Sequence, residues 1–449
     1  MRTVRKSLLV LVVIGLAVLA SLYAWAMHDT PKPSIATPER LVADAAAIER
    51  GRYLVAAGDC VACHTAPKGQ PFAGGLALDS PVGQIYSSNI TPDRKNGIGD
   101  YTLDDFDRAL RHGIAKRGDT LYPAMPYPSY AHMTPDDIAA MYAYLMHDVA
   151  AVDAPNHDTR IRWPLSARWP LAIWRKLYAP DPAVVAAAGR YPDAAVARGA
   201  YLVQGPGHCG SCHTPRAVTL QEKALDDGSP DYLAGGAQID GWVSVNLRGD
   251  AGDGLGGWSP DDIVATLKTG RNPTRAVIGT AMTDVVYHST QYLTDADLGA
   301  IAGYLKSLPG TKNDGIAYVA SDETAKALKA GINATRGAEL YVDNCAACHA
   351  TDGLGRRMAL PAIAGNSSVL SPDAASIIRL VLNGSELPSL PAAPSPLGMP
   401  AFGWRLSDAE AAELVTFVRT SWGNRAPAVK AGDVAKVRAA LAAEGEPMR

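Results

Sequence analysis

Three short phrases in this chain place two thiols and an imidazole at one fixed spacing: Cys60, Cys63 and His64; Cys209, Cys212 and His213; Cys345, Cys348 and His349. The chain has six cysteines and all of them fall in these phrases, so none is left for another purpose. Cys-x-x-Cys-His is the attachment pattern of c-type haem: the two thiols add to the porphyrin vinyl groups and the adjacent imidazole becomes the proximal iron ligand. Three accidental copies in one chain are negligible. Structural zinc commonly uses two cysteine pairs ~15–20 residues apart, whereas successive pairs here are separated by 149 and 136 residues. Disulfides across two intervening residues would leave three histidines unexplained, and a thioredoxin-like motif would want a βαβ setting. The expected cofactors are therefore three covalently bound haem c groups.

A distal iron ligand must come from the opposite side of each haem plane, so it should lie tens of residues beyond the motif, in a loop. One methionine per unit fits. Met125 follows His64 by 61 residues within a proline-rich loop, Met282 follows His213 by 69, and Met399 follows His349 by 50. Each stands 8 to 12 residues before the final helix cap of its unit. Met133, beside the cap at Thr134, is the rival to Met125; the prolines around Met125 and its offset favour it. Met141 and Met146 lie on a helix face and read as core filler, and Met358 is too close to His349 to cross a haem. Imidazole with thioether raises haem potential and suits electron transfer over oxygen chemistry.

The elements that must hold these ligands repeat as well. Arg50-Gly51-Arg52-Tyr53-Leu54, Arg198-Gly199-Ala200-Tyr201-Leu202 and Arg336-Gly337-Ala338-Glu339-Leu340 precede the three motifs. Capped amphipathic helices close the units, starting at Thr134, Thr294 and Ser407; Ser407 with Glu410 forms a capping box ahead of Leu414, Phe417 and Val418. An opening helix crossing a closing helix beside a haem is a cytochrome c-like arrangement. The predicted fold class is all-α: three tandem class-I-like cytochrome c domains after an N-terminal signal or anchor helix. The boundaries are 1–27 signal peptide or membrane anchor, 45–150 first domain, 151–192 linker, 193–310 second domain, 330–425 third domain and 426–449 C-terminal tail.

Asn89 and Asn246 occupy corresponding places in the first two units and suit either haem propionates or simple turn-making. His112, His147, His208 and His288 read as packing or surface residues. The stretch 160–182, with Trp163, Trp169 and Trp174 among several basic residues, reads as a belt over neighbouring domains in preference to a docking strip.

Length and composition agree. At 449 residues the chain has room for about three domains of ~150 residues each. A hydrophobic share of 47% with 19% charged residues excludes disorder as the main theme. A formal net charge of −3 gives no sign of a nucleic-acid binder. Arg2, Arg5 and Lys6 precede 21 uncharged residues from Ser7 to Met27, as exported proteins require. That run is long enough to span a bilayer, while Ala24-Trp25-Ala26 also offers a cleavage site. The mature domains are expected to face the periplasm either way.

The three haem motifs, the phrase from Ala124 to Tyr130, His288-Ser289-Thr290-Gln291-Tyr292-Leu293-Thr294-Asp295, the phrase from Met399 to Ser407, and Ser421-Trp422-Gly423-Asn424-Arg425-Ala426-Pro427 resemble the triheme cytochrome c subunit of bacterial membrane-bound dehydrogenases. The resemblance runs from about Glu49 to Pro427. That family serves alcohol, gluconate, sorbitol, fructose and aldehyde dehydrogenases. The resemblance implies a relay from a catalytic subunit carrying flavin, pyrroloquinoline quinone or molybdenum to ubiquinone or another acceptor, at the periplasmic face of the inner membrane. Carried over by position, it implies His64, His213 and His349 as proximal ligands and Met125, Met282 and Met399 as distal ones. No catalytic residue is expected on this chain. The alternatives are a free-standing respiratory shuttle and a multiheme enzyme with one open haem.

Overall fold

The computed structural model describes residues 2–28, 34–182, 191–272, 278–311, 316–332, 335–356 and 359–444; Met358 lies outside them. The chain divides into two compact units, Met1–Val55 with Cys63–Ala188, and Ala56–Ala62 with Gly189–Arg449.

The first unit begins with α1 (Arg2–Met27), whose segment Lys6–Met27 has a mean hydropathy of 2.6 and is long and apolar enough to cross a membrane. Next come α2 (Ala45–Ala57), whose last two residues belong to the second unit, α3 (Leu103–His112) and α4 (Pro135–His147). Thr134 caps α4 by accepting from the Asp137 amide, and Ile138, Met141 and Leu145 face the core at helical spacing. The stretch expected as a linker holds α5 (Trp169–Tyr178). Its Trp169 ring meets Tyr23 of α1 edge-on at 6.0 Å, and Lys176 Nζ donates to the Trp25 carbonyl at 2.5 Å, satisfying an orphan group at the end of α1. Trp174 packs against Tyr127. Trp163, by contrast, is 84% exposed and Leu165 and Leu177 are exposed too, so the belt expected over 160–182 is buried only in part.

The second unit contains α6 (Ala194–Gln204), α7 (Pro260–Thr269), α8 (Thr280–His288), α9 (Asp295–Ser307), α10 (Arg336–Asn344), α11 (Ala375–Asn383), α12 (Asp408–Thr420) and α13 (Ala431–Ala443). The expected caps are present: Thr294 accepts from Asp297, and Ser407 forms a capping box with Glu410. Around the third motif the rings of Tyr341, Phe417 and Trp422 meet pairwise, tilted or edge-on, at 5.0 to 5.6 Å over an aliphatic core. The segment expected as a tail includes α13, whose Val434 and Leu441 are fully buried in that core.

The fold is predominantly helical but not purely so. Among the described residues seven strands of two to four residues form small antiparallel pairings: β1 (Ala77–Ser80), β2 (Gly83–Tyr86) and β3 (Arg160–Ile161); β4 (Gln238–Ile239) with β5 (Trp242–Val243); β6 (Ser385–Leu387) with β7 (Leu397–Met399). Strands this short carry too few alternating residues to leave a period-2 pattern.

The same crossing occurs three times. A Cβ on Gly51 would stand 1.9 Å from the Ala140 carbonyl oxygen, one on Gly199 2.0 Å from that of Ala300, and one on Gly337 2.5 Å from that of Glu413. Glycine is required because helix backbones touch there, with Tyr144, Tyr304 and Phe417 packed beside them. The arginine before each glycine binds the third residue of the partner helix: Arg50 to Asp137 at 2.6 Å, Arg198 to Asp297 at 2.7 Å, and Arg336 to Glu410 at 2.6 Å. These exposed arginines set register more than stability.

Candidate haem sites

Each motif forms one turn of helix, Cys60–Cys63, Gly210–His213 and Ala346–His349, directly after the helix that carries the crossing glycine. The three imidazoles share one arrangement. Nδ1 of His64 bonds the Ser88 carbonyl at 2.6 Å, that of His213 the Val245 carbonyl at 2.8 Å, and that of His349 the Pro361 carbonyl at 3.0 Å. A carbonyl only accepts, so Nδ1 carries the proton and Nε2 keeps its lone pair, as an iron ligand must. Burial lowers the pKa of all three histidines, which keeps the rings neutral and able to ligate.

All six cysteines are free of disulfides. Burial pushes the thiols of Cys209 and Cys345 up to about 12 and also raises that of Cys212. A thiolate is disfavoured at these positions, whereas a thioether carries no charge to desolvate.

The methionines stand on elements separate from the motifs. Met125 closes a turn from Tyr122 and leads into the short helix Tyr127–Tyr130. Met282 lies in the first turn of α8, not in a loop, and packs with Ile278 against Val286, Leu390 and Ala393. Met399 ends β7, opposite Ser385, where Gly384 approaches its carbonyl too closely for a side chain. Met133 and Met141 are fully buried core residues, and the Met133 carbonyl is bonded by Arg111.

Asn89 does not reach outward. Its amide donates to the Val152 and Ala154 carbonyls, and its oxygen accepts from Thr91. Asn246 donates to Asp250 and accepts from the Arg248 amide. Both pin the backbone just after the carbonyl that holds the proximal histidine, so the turn-making alternative describes them and the propionate alternative does not.

Polar groups that sequence reasoning missed also suit a large cofactor. The hydroxyls of Tyr122 and Tyr127, which flank Met125, are buried without a hydrogen-bonding partner among the described residues, as is that of Tyr232 in the second unit. Tyrosines give no sequence signal for such a role. The carbonyls of Ser88, Val245 and Pro361 give none either, because every residue has one; only the equivalent placement of Ser88-Asn89 and Val245-Asn246 hinted at them. The donor set of paired thiols and singly oriented imidazoles fits haem c, which supplies a one-electron iron couple when bound.

These features define a c-type cytochrome. The cytochrome c family pattern matches residues 48–148 and 334–422, around the first and third motifs. Over 400 residues the chain is 55% identical to the gluconate 2-dehydrogenase cytochrome c subunit of Pantoea cypripedii, covering 88% of this chain and 90% of that one. It is 52% identical to the cytochrome c subunit of the quinone alcohol dehydrogenase of Gluconacetobacter polyoxogenes, covering 88% and 85%. Identity to the fructose dehydrogenase cytochrome subunit of Gluconobacter japonicus is 38%, covering 87% and 82%. The chain belongs to this family of dehydrogenase cytochrome c subunits, and its function is electron transfer.

Proposed function

We propose that this chain is a triheme relay that takes electrons from a catalytic dehydrogenase subunit and delivers them to ubiquinone or another acceptor at the periplasmic face of the bacterial inner membrane. The observation that carries the count of three is the repeated crossing: the middle stretch has the same glycine, arginine and carbonyl-held histidine as the two stretches that match the family pattern. In this reading the cysteines hold the haems, His64, His213 and His349 ligate from one side, and Met125, Met282 and Met399 ligate from the other. The three domains span 45–150, 193–310 and 330–425. The contacts between α1 and α5 support attachment to the membrane through the N-terminal helix. The names of the relatives point to gluconate or a related sugar acid, an alcohol or a sugar as the partner's substrate. Substrate chemistry then belongs to the partner and its flavin, pyrroloquinoline quinone or molybdenum cofactor.

The test is to capture this chain from mildly solubilised membranes of its host and follow the haem α-band as gluconate, alcohols, sugars and aldehydes are added. Reduction by one substrate class is expected. Full reduction by dithionite with none by any substrate would contradict the dehydrogenase partner.

A further inference from the structure

We propose that His208 is a positioning residue that joins the first and second haem-attachment segments and sets the rate of electron exchange between the haems they carry. The proposal rests on the reading of Cys60 and Cys209 as haem attachment points.

The stretch Ala56–Ala62, which includes Cys60, belongs to the second compact unit. There His208 Nε2 lies 3.3 Å from the Gly58 carbonyl oxygen, with Nε2–H donating. The same oxygen is 3.8 Å from Cys60 Sγ. Ser289 Oγ donates to the neighbouring Ala57 carbonyl at 3.2 Å, so the stretch is held at two points. His208 immediately precedes Cys209. A bonded route therefore runs from Cys60 through Asp59 to the Gly58 carbonyl, across one hydrogen bond to the His208 ring, and on to Cys209.

The backbone shows what this arrangement demands. His208 has φ +36°, in the left-handed region where a side chain is strained. The turn that ends α6 has glycine at positions 205 and 207, so a glycine at 208 would meet its needs without strain. The conformation does not call for histidine; the bond to Gly58 does. In the exchange one electron moves, one iron passing from Fe(II) to Fe(III) as the other passes from Fe(III) to Fe(II). No bond forms or breaks, and the ring keeps its proton throughout.

The experiment uses the full-length haem-loaded protein and the variants H208G, H208Q and S289A. Read out are the redistribution rate of a photoreduced electron among the haems, the potential of each haem, and the thermal midpoint. H208G removes the ring and relaxes the backbone, so the midpoint and all potentials should hold while redistribution slows several-fold. H208Q keeps a side-chain N–H and should recover part of the rate, and it carries the test should H208G load haem poorly. S289A loosens the clamp but leaves the route intact, and should exchange at the original rate. An unchanged rate in both His208 variants, or slowing that tracks a lost midpoint equally in all three variants, would overturn the proposal. Mass spectrometry of the Cys60 and Cys209 peptides separates that failure from failure of the haem reading itself.

Discussion

Gly199 lies so close to the Ala300 carbonyl that a methyl group at its Cα would stand 2.0 Å from the oxygen. A real Cβ cannot occupy that position, so Gly199→Ala must push α6 and α9 apart, with an expected loss of about 1–3 kcal/mol or more from overpacking. Gly299 is the control. It sits on the same closing helix with nothing within 4 Å of its would-be Cβ, so Gly299→Ala should gain ~0.5–1 kcal/mol from helix propensity. Denaturant unfolding of the two variants should move in opposite directions.

In the proposed relay Met399 ligates the iron while Cys345 and Cys348 hold the haem covalently. Met399→Ala should therefore retain three attached haems and shift a single potential downward, because loss of a thioether ligand removes what raises it. Spectroelectrochemical titration checks this. Three unmoved potentials would reject the ligand assignment.

How much of this was readable in advance differs from residue to residue. Covalent attachment forces a fixed spacing, so the three motifs stand out in the chain, and the caps at Thr134, Thr294 and Ser407 are equally local signals. The Arg-Gly phrases were visible as repeats, but their partners lie 87, 99 and 74 residues away and emerge only with the folded crossing. The contact of His208 with Gly58 spans 150 residues and belongs to no periodic pattern. The helix Ala431–Ala443 is hard to read in the sequence because its alanine-rich run shows little apolar stripe, yet Val434 and Leu441 are buried in the core.

Asp59 links stability to pH. Burial, with the nearby Asp284 carboxylate adding to it, raises its pKa to about 8. The unfolded side chain titrates near 3.8, so between these values the folded state binds more protons than the unfolded state. Stability from this group therefore falls as pH rises from about 4 through about 8. Asp59→Asn keeps a residue that tolerates φ 51° and cannot ionise, so its unfolding midpoint should lose that slope. An identical pH profile in both proteins would contradict the shift.

Arg419 is wholly buried and donates to four carbonyls, those of Pro427, Val369 and Ser371 at 2.8 to 2.9 Å and that of Pro372 at 3.5 Å. Arg419→Met preserves bulk but strands these acceptors, each unsatisfied group costing about 1–3 kcal/mol. The variant should unfold several kcal/mol earlier in denaturant, and the segment after α12 should exchange its amides faster than in the parent.

The count of haems is the most direct test of the whole account, since the family pattern covers two motifs and the repeated crossing argues for three. The measurement is intact-mass spectrometry of the purified chain with the pyridine haemochrome ratio of haem to protein. Three haem increments on one polypeptide, with the middle one on the peptide containing Cys209 and Cys212, are expected. Two increments, with Cys209 and Cys212 recovered as free thiols, would contradict it.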